Sequence, residues 1–321
     1  MLYRQCRLCP RACGVDRAEG ADQEKGFCRE GGQLKVSFVG PHFGEEPPIS
    51  GKNGSGTIFF PGCSLQCSFC QNYQISRDRV GQCTTVEKLY EKVRKLCLDN
   101  KVHNINMVTP DHFFPHIVEL VSRMRKESLN VPVLYNVSGY QSIEMLKMAE
   151  PYVDIYLPDF KYSDSHLAQR LSKVKDYPEK ALEAIVEMVR QKGFLRFAEG
   201  EESLADRGVL VRHLILPGNV ENSLNAITSL FLEFGKDLPL SIMSQYHPVF
   251  AHEDPNFNRK ISEEEFDVVY GHVRELGFHH LHVQFPNTDR YRDAEEGVSP
   301  FLPDFQKKKP FGELLDLSLS S

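Results

Sequence analysis

The chain of 321 residues, 41% hydrophobic and 26% charged, has the composition of a folded globular protein rather than a disordered one. No apolar run approaches the ~18 residues of a membrane-spanning helix, and the N-terminus, Met1-Leu-Tyr-Arg-Gln-Cys6, has no apolar signal core, so a cytoplasmic protein with no membrane partner is expected. A net charge of −6 gives no reason to expect nucleic acid, and nine cysteines in a cytosolic chain point to metal binding rather than disulfides.

In chain order, residues 1–50 form a segment rich in Arg, Gly and Cys. Its cysteines, Cys6, Cys9, Cys13 and Cys28, stand in a C-x2-C-x3-C-x14-C pattern with Pro10 after the second. A segment this poor in apolar residues gains its folding energy from a shared metal, either structural zinc or an auxiliary iron–sulfur cluster. Arg4, Arg7, Arg11 and Arg29 would offset the charge of four thiolates. The stretch 44–51, Gly-Glu-Glu-Pro-Pro-Ile-Ser-Gly, is an extended connector; His42, Glu45 and Glu46, ahead of the first strand, stand within reach of the mouth of a barrel, with no role assigned.

From residue 57 the pattern alternates. Strands are expected at Thr57–Phe60, His103–Val108, Val131–Asn136, Val153–Leu157, Val209–Leu216 and Leu240–Gln245. Helices lie between them. Thr84 with Glu87 forms a capping box ahead of Leu89, Val93, Leu96 and Cys97. Ile117, Leu120, Val121 and Met124 repeat the period, as do Ile143, Leu146 and Met148. A further helix carries Leu182, Ile185, Val186 and Val189 to a left-handed cap at Gly193. The last, capped by Ser262 and Glu265, ends at Gly277. Strands separated by helices pair in parallel with right-handed crossovers. The expectation is an α/β fold, a partial (β/α)6 barrel over residues 51–285, with a cysteine-rich N-terminal extension (1–50) and an irregular tail (286–321). Function then belongs at the C-terminal ends of the strands.

The run Pro61-Gly-Cys-Ser-Leu-Gln-Cys-Ser-Phe-Cys70 follows the first strand. Cys63, Cys67 and Cys70 supply three thiolates where a [4Fe–4S] cluster normally takes four, leaving one iron open. A zinc knuckle is the plain alternative. The x3, x2 spacing, with Phe69 before the third cysteine, resembles the CxxxCxxC signature of the radical SAM superfamily. That resemblance implies the partial barrel, a [4Fe–4S] cluster, and S-adenosylmethionine cleaved to a 5′-deoxyadenosyl radical that abstracts hydrogen. It also implies an electron donor such as flavodoxin or ferredoxin.

Other strand ends resemble the pyruvate formate-lyase activating enzymes and the predicted activating-enzyme-like proteins. Arg212-His-Leu-Ile-Leu-Pro-Gly218 is similar to their fifth-strand motif, Tyr246-His247 to their Tyr-His pair, and Ile155-Tyr-Leu-Pro-Asp-Phe-Lys161 to their Asp-x-Lys. The resemblance implies cofactor contacts at Phe69, Thr109, Asn136, Ser138, Asp159 and Lys161, and catalytic roles for Arg212 and His247. Two departures stand out. Val108-Thr-Pro-Asp111 replaces the Gly-Gly-Glu element that holds the amino group of S-adenosylmethionine, its carboxylate gone or shifted to Asp111, and Asn136 replaces an acidic residue. Three functions compete: activation of a glycyl radical enzyme, modification of a small molecule or maturation of another protein, and a non-catalytic iron–sulfur or zinc redox protein. The open iron favours catalysis. The open side of a six-stranded barrel favours a peptide or protein substrate. His279, His280 and His282 are expected to be structural, because alternation splits them between faces.

Overall fold

The computed structural model describes residues 2–18, 25–197, 204–286 and 302–311. Nine strands build the frame: β1 Phe38–His42, β2 Ser55–Phe59, β3 Ile105–Val108, β4 Val133–Val137, β5 Ile155–Pro158, β6 Ala205–Val209, β7 Val211–Leu214, β8 Leu240–Met243 and β9 Leu281–Val283. Strands β2 through β6 run parallel in sequence order, because a helical crossover separates each from the next. Strand β1 adds antiparallel to the outer edge of β2. Strands β7, β8 and β9 form a second parallel sheet. The two sheets meet where Asp159 bridges Arg212 and the Phe160 N–H donates to the Arg212 carbonyl at 2.8 Å. This is the expected partial barrel, with β9 extending it.

Seven helices cover the sheet: α1 Val86–Lys95, α2 Phe114–Lys126, α3 Ile143–Ala149, α4 Ser165–Ser172, α5 Tyr177–Lys192, α6 Val220–Phe234 and α7 Glu263–Leu276. Their apolar stripes bury Leu89, Ile117, Leu120, Leu146 and Ile185 against Met107 and Tyr135 of the strands. The Ser262–Glu265 capping box is present.

Several expectations are corrected. The N-cap of α1 is Thr85, whose Oγ1 accepts from the Lys88 N–H at 3.2 Å; Thr84 instead bonds Leu34, prolonging the short pair Lys35–Val36 with Gln82–Cys83. Gly193 has φ +73° but ψ −170°, so it leaves the helix by a route other than the left-handed cap. The strand expected at Val209–Leu216 is two strands, because Leu210 donates to Tyr156 while the chain passes from β5 to β8 as its partner. Helices α4 and α6 escaped the pattern: α4 is short, capped by Asp164 Oδ1, and the run Leu230-Phe-Leu232 blurs the period of α6. The connector contains a turn of helix, Pro47–Ser50. In the irregular tail, Phe305 is buried beside Phe59 and Ile75, so this part lies on the barrel, one of the two placements open to it. The rest of the segment 286–321, namely 287–301 and 312–321, lies outside the described residues.

Candidate active site

The loop after β2 carries Cys63, Cys67, Phe69 and Cys70 into one cavity of about 290 Å³ at the C-terminal ends of the strands. Gly62 opens the loop at φ +83°, and a Cβ there would stand 2.9 Å from the Cys28 carbonyl, so only glycine lets the loop lie against the N-terminal segment. The Leu65 N–H donates to Cys63 Sγ at 3.4 Å, and Ser172, at the end of α4, donates to Cys67 Sγ at 3.0 Å. Tyr162 holds that serine in turn at 2.7 Å. The Ser172 contact was invisible in the sequence because α4 is remote from the cysteines along the chain. Burial pushes the Cys63 thiol up to about 12, with the Cys67 sulfur adding to it, and raises Cys70 as well. Such thiols ionise when a cation compensates them, which suits ligands of a metal cluster.

The same cavity is lined by Thr109, Asn136, Ser138, Asp159, Lys161, Arg212 and His247. Lys161 Nζ pairs with Asp159 Oδ2. Burial alone would lower the lysine, but Asp159 and then Cys67 outweigh it and hold its pKa well above the usual value. Tyr177 fixes these loops. Its hydroxyl shares its single proton between the carbonyls of Ser138 and Asp159, each at 2.8 Å, and accepts from the Lys161 N–H at 3.0 Å. Gly139, at φ +80°, passes so close that a Cβ would lie 2.2 Å from the Asp159 carbonyl. His247 Nδ1 is buried without a partner, and burial lowers the ring's pKa, leaving a neutral imidazole facing the cavity. Asp111 does not face this cavity: it lines the N-terminal cysteine pocket instead, so the carboxylate of the Gly-Gly-Glu element is not replaced from this position.

Glu45 and Glu46 reach the barrel interior. Arg212 Nε donates to Glu46 Oε1 at 2.9 Å, and its Nη2 pairs with both carboxylates. Glu45 Oε1 also accepts from Asn106 at 2.8 Å and Asn136 at 3.3 Å. The guanidinium of Arg212 is thus spent on holding the connector inside the barrel, and Glu45 lines the cavity beside it. Sequence reasoning brought both glutamates to the mouth of the barrel but gave them no role, because their partner Arg212 lies far along the chain. His279 forms a surface contact with Asp237 at 2.7 Å, consistent with a structural role.

Cys6, Cys9, Cys13 and Cys28 line a second, smaller pocket with Arg17, Ser64 and Asp111. Arg17 Nη1 donates to Cys6 Sγ and the Phe27 N–H to Cys13 Sγ, both at 3.4 Å. Burial raises the thiol pKa of Cys9 and Cys28. Arg11 donates to the Ser64 carbonyl at 2.9 Å and Gln66 to the Phe27 carbonyl at 2.7 Å, so this pocket is fastened to the loop between Cys63 and Cys67. Among the described residues, no three cysteine, histidine or carboxylate side chains form a group that could hold a single metal ion, at either cysteine site.

A partial α/β barrel with three thiols at the mouth of its first strand defines a class, and comparison with known proteins agrees. The model of the Radical SAM superfamily matches residues 57–228, and the chain belongs to that superfamily. It is 28% identical over 275 residues to Uncharacterized protein MJ0674 of Methanocaldococcus jannaschii, covering 83% of this chain and 73% of that protein. Its fold is similar to SuiB of Streptococcus suis bound to S-adenosylmethionine, with a TM-score of 0.50 and 12% identity. That match covers 74% of this chain but only 52% of SuiB, so the chain spans about half the length of this solved structure. It is similar also to anSMEcpe with bound AdoMet, at a TM-score of 0.50 and 11% identity over 71% of this chain and 61% of the other. Membership of the Radical SAM superfamily implies a [4Fe–4S] cluster and S-adenosylmethionine. No described helix is long and apolar enough to cross a membrane.

Proposed function

We propose that the protein cleaves S-adenosylmethionine reductively in the cytoplasm and directs the resulting hydrogen abstraction at a peptide or protein, a glycyl radical enzyme being the leading choice. One observation carries this reading: a single cavity unites Cys63, Cys67 and Cys70 with the polar strand ends at Asn136, Ser138, Asp159 and Lys161. The three thiols would hold the cluster, which supplies the electron and an open iron for the methionyl amino and carboxylate groups. The chain's own groups then orient the cofactor. Lys161, kept cationic by Asp159, suits its carboxylate, while Asn136 and Ser138 suit the ribose hydroxyls. Phe69, packed between Tyr162 and Tyr246 at ring distances of 6.4 and 6.0 Å, forms an apolar wall. His247 offers a neutral imidazole towards the substrate. A flavodoxin or ferredoxin supplies electrons, and the four N-terminal cysteines bind zinc or a second cluster.

Pro303 and Phe311 of the tail line the same cavity and narrow its mouth, which favours the second reading, a small-molecule substrate. Incubation with reductant, S-adenosylmethionine and a candidate glycyl radical partner separates the two. Activation gives a doublet paramagnetic signal on the partner. Deuterium passing from a labelled small molecule into 5′-deoxyadenosine, with no protein radical, would overturn the preferred reading.

Alanine at Asp159 or Lys161 should weaken binding of S-adenosylmethionine while the cluster's absorbance is retained. A charge-assisted contact of this kind contributes about 1.5–3 kcal/mol, or roughly tenfold or more in affinity. Calorimetric titration showing unchanged affinity in both variants would return the pair to a purely structural role.

A further inference from the structure

We propose that His42 and His247 form a substrate subsite that hydrogen-bonds the uncharged amide groups of a peptide, with Phe311 as its apolar wall. The inference rests on the radical SAM reading and deepens it by naming what the substrate presents to the cavity. The lining of that cavity divides by origin. Its three thiols, with Asn136, Ser138, Asp159 and Lys161, lie within residues 57–228, the part matched to the superfamily. His42, Glu45, Gln245, His247 and Phe311 line the same space from outside that part. What a superfamily shares serves the shared cofactor, whereas segments outside it are free to suit a particular substrate.

Two imidazole nitrogens there are unsatisfied. His42 Nδ1 and His247 Nδ1 are each buried with no hydrogen-bond partner. Buried polar atoms are nearly always paired, so two such atoms bordering one cavity mark where ligand atoms complete the pairing. The His42 ring is held firmly for that task. It closes β1 opposite Ser55 of β2, lies 4.4 Å from the ring of Phe311 and stands edge-on to Phe59 at 6.1 Å. A Cβ at Gly44 would come within 2.9 Å of His42 Nε2, so the glycine leaves the ring its place. Phe311 rests in turn on Phe38 and Phe59, at 5.8 and 5.5 Å.

Charge decides the substrate class. Among the described residues, the cations bordering the cavity are Lys161 and Arg212, and each is already paired: Lys161 with Asp159, Arg212 with Glu45 and Glu46. None is left for a phosphate or carboxylate on the substrate, and burying such an anion without a partner is costly. Burial lowers the pKa of both rings and keeps them neutral. A neutral imidazole carries one donor and one acceptor nitrogen, the pairing that an amide C=O and N–H require.

The test uses the full-length protein, reconstituted anaerobically with iron and sulfide, with dithionite, S-adenosylmethionine and the probe acetyl-Ala-Gly-Ala-amide deuterated at its α-carbons. Abstraction breaks a C–D bond, the deuterium joins the 5′ carbon, and the unpaired electron stays on the peptide. The wild type should pass deuterium into 5′-deoxyadenosine from this probe and not from deuterated glycerol 3-phosphate. Transfer from the phosphate, or none from the peptide while 5′-deoxyadenosine is made, overturns the substrate class. His42→Phe keeps a ring against Phe311 but no hydrogen-bonding atom, and should raise the half-saturating peptide concentration roughly tenfold or more. His42→Asn retains a donor and an acceptor and should raise it less. No rise with His42→Phe, or an equal rise in both variants, assigns the effect to packing and overturns the subsite. Should His42→Phe fail to fold, His247→Phe against His247→Asn takes its place, with the same outcomes. Failure of the radical SAM reading shows differently, as no 5′-deoxyadenosine at all from the wild type, whatever the probe.

Discussion

Replacing Cys63, Cys67 or Cys70 singly with alanine is expected to abolish production of 5′-deoxyadenosine and methionine from S-adenosylmethionine, whatever the reductant. Three thiols are already one fewer than a four-iron cluster normally takes, so none is redundant. The three also share an environment that cannot easily be replaced by solvent. Cys67 is buried, Cys63 and Cys70 line the same cavity, and burial keeps Cys63 and Cys70 protonated until a metal compensates the charge. Product analysis by chromatography, with iron content measured in parallel, checks the prediction. A single variant that keeps wild-type turnover would remove its cysteine from the catalytic set. Ser172→Ala provides a milder comparison: it deletes the donor at 3.0 Å from Cys67 Sγ and should change the cluster's potential more than its occupancy.

Arg212→Ala is expected to be among the most destabilising substitutions in the barrel. It leaves Glu45 and Glu46 inside without their common cation, and breaking a buried ion pair by removing one partner costs about 3–5 kcal/mol. For a chain of 321 residues that corresponds to a fall in Tm of roughly 4–7 °C. The pH dependence has a definite sign. In the wild type, burial works against the charge of Glu46, but Arg212 and then Ser241 overcome it and hold the carboxyl below its usual value of 4.5. A depressed carboxylate contributes stability above the unfolded pKa and loses it as pH falls through the folded one. Without Arg212, burial is opposed only by the Ser241 and backbone hydrogen bonds and the carboxyl rises, so the variant gains by protonation over the range where the wild type loses. The gap between the two melting temperatures should therefore narrow as pH falls from 7 towards 4. A gap that is constant, or widens, would show that the loss is one of packing rather than charge. Because Glu45 also binds Asn106 and Asn136 beside the cavity, binding of S-adenosylmethionine should weaken as well with Arg212→Ala.

Local chemistry made the cysteine loop legible. A short buried strand, a glycine and three cysteines in tight spacing declare themselves within a dozen residues, and the alternation of strands and helices implied the parallel barrel because crossovers leave few alternatives. Asn136, Ser138, Asp159 and Lys161 were placed by the same logic, as residues at strand ends of such a barrel, and all line one cavity. Periodicity failed where an element was short or apolar on several faces, as in α4 and α6, and where a strand changed partners at Leu210.

Tertiary structure alone decided which distant segments complete the site. The hydroxyl of Tyr177, on α5, links the ends of β4 and β5. Ser172 supports Cys67 across 105 positions of sequence. Glu45 and Glu46, in a stretch that reads as a connector, neutralise Arg212 from 166 to 167 residues away. Asp111, beside Thr109 in sequence, turns to the other cysteine pocket. A sequence specifies which groups are present and which neighbours share a face. Pairing of buried charges and hydrogen bonds depends on which chain segments are brought together when water is excluded, and that is settled only by the packed fold.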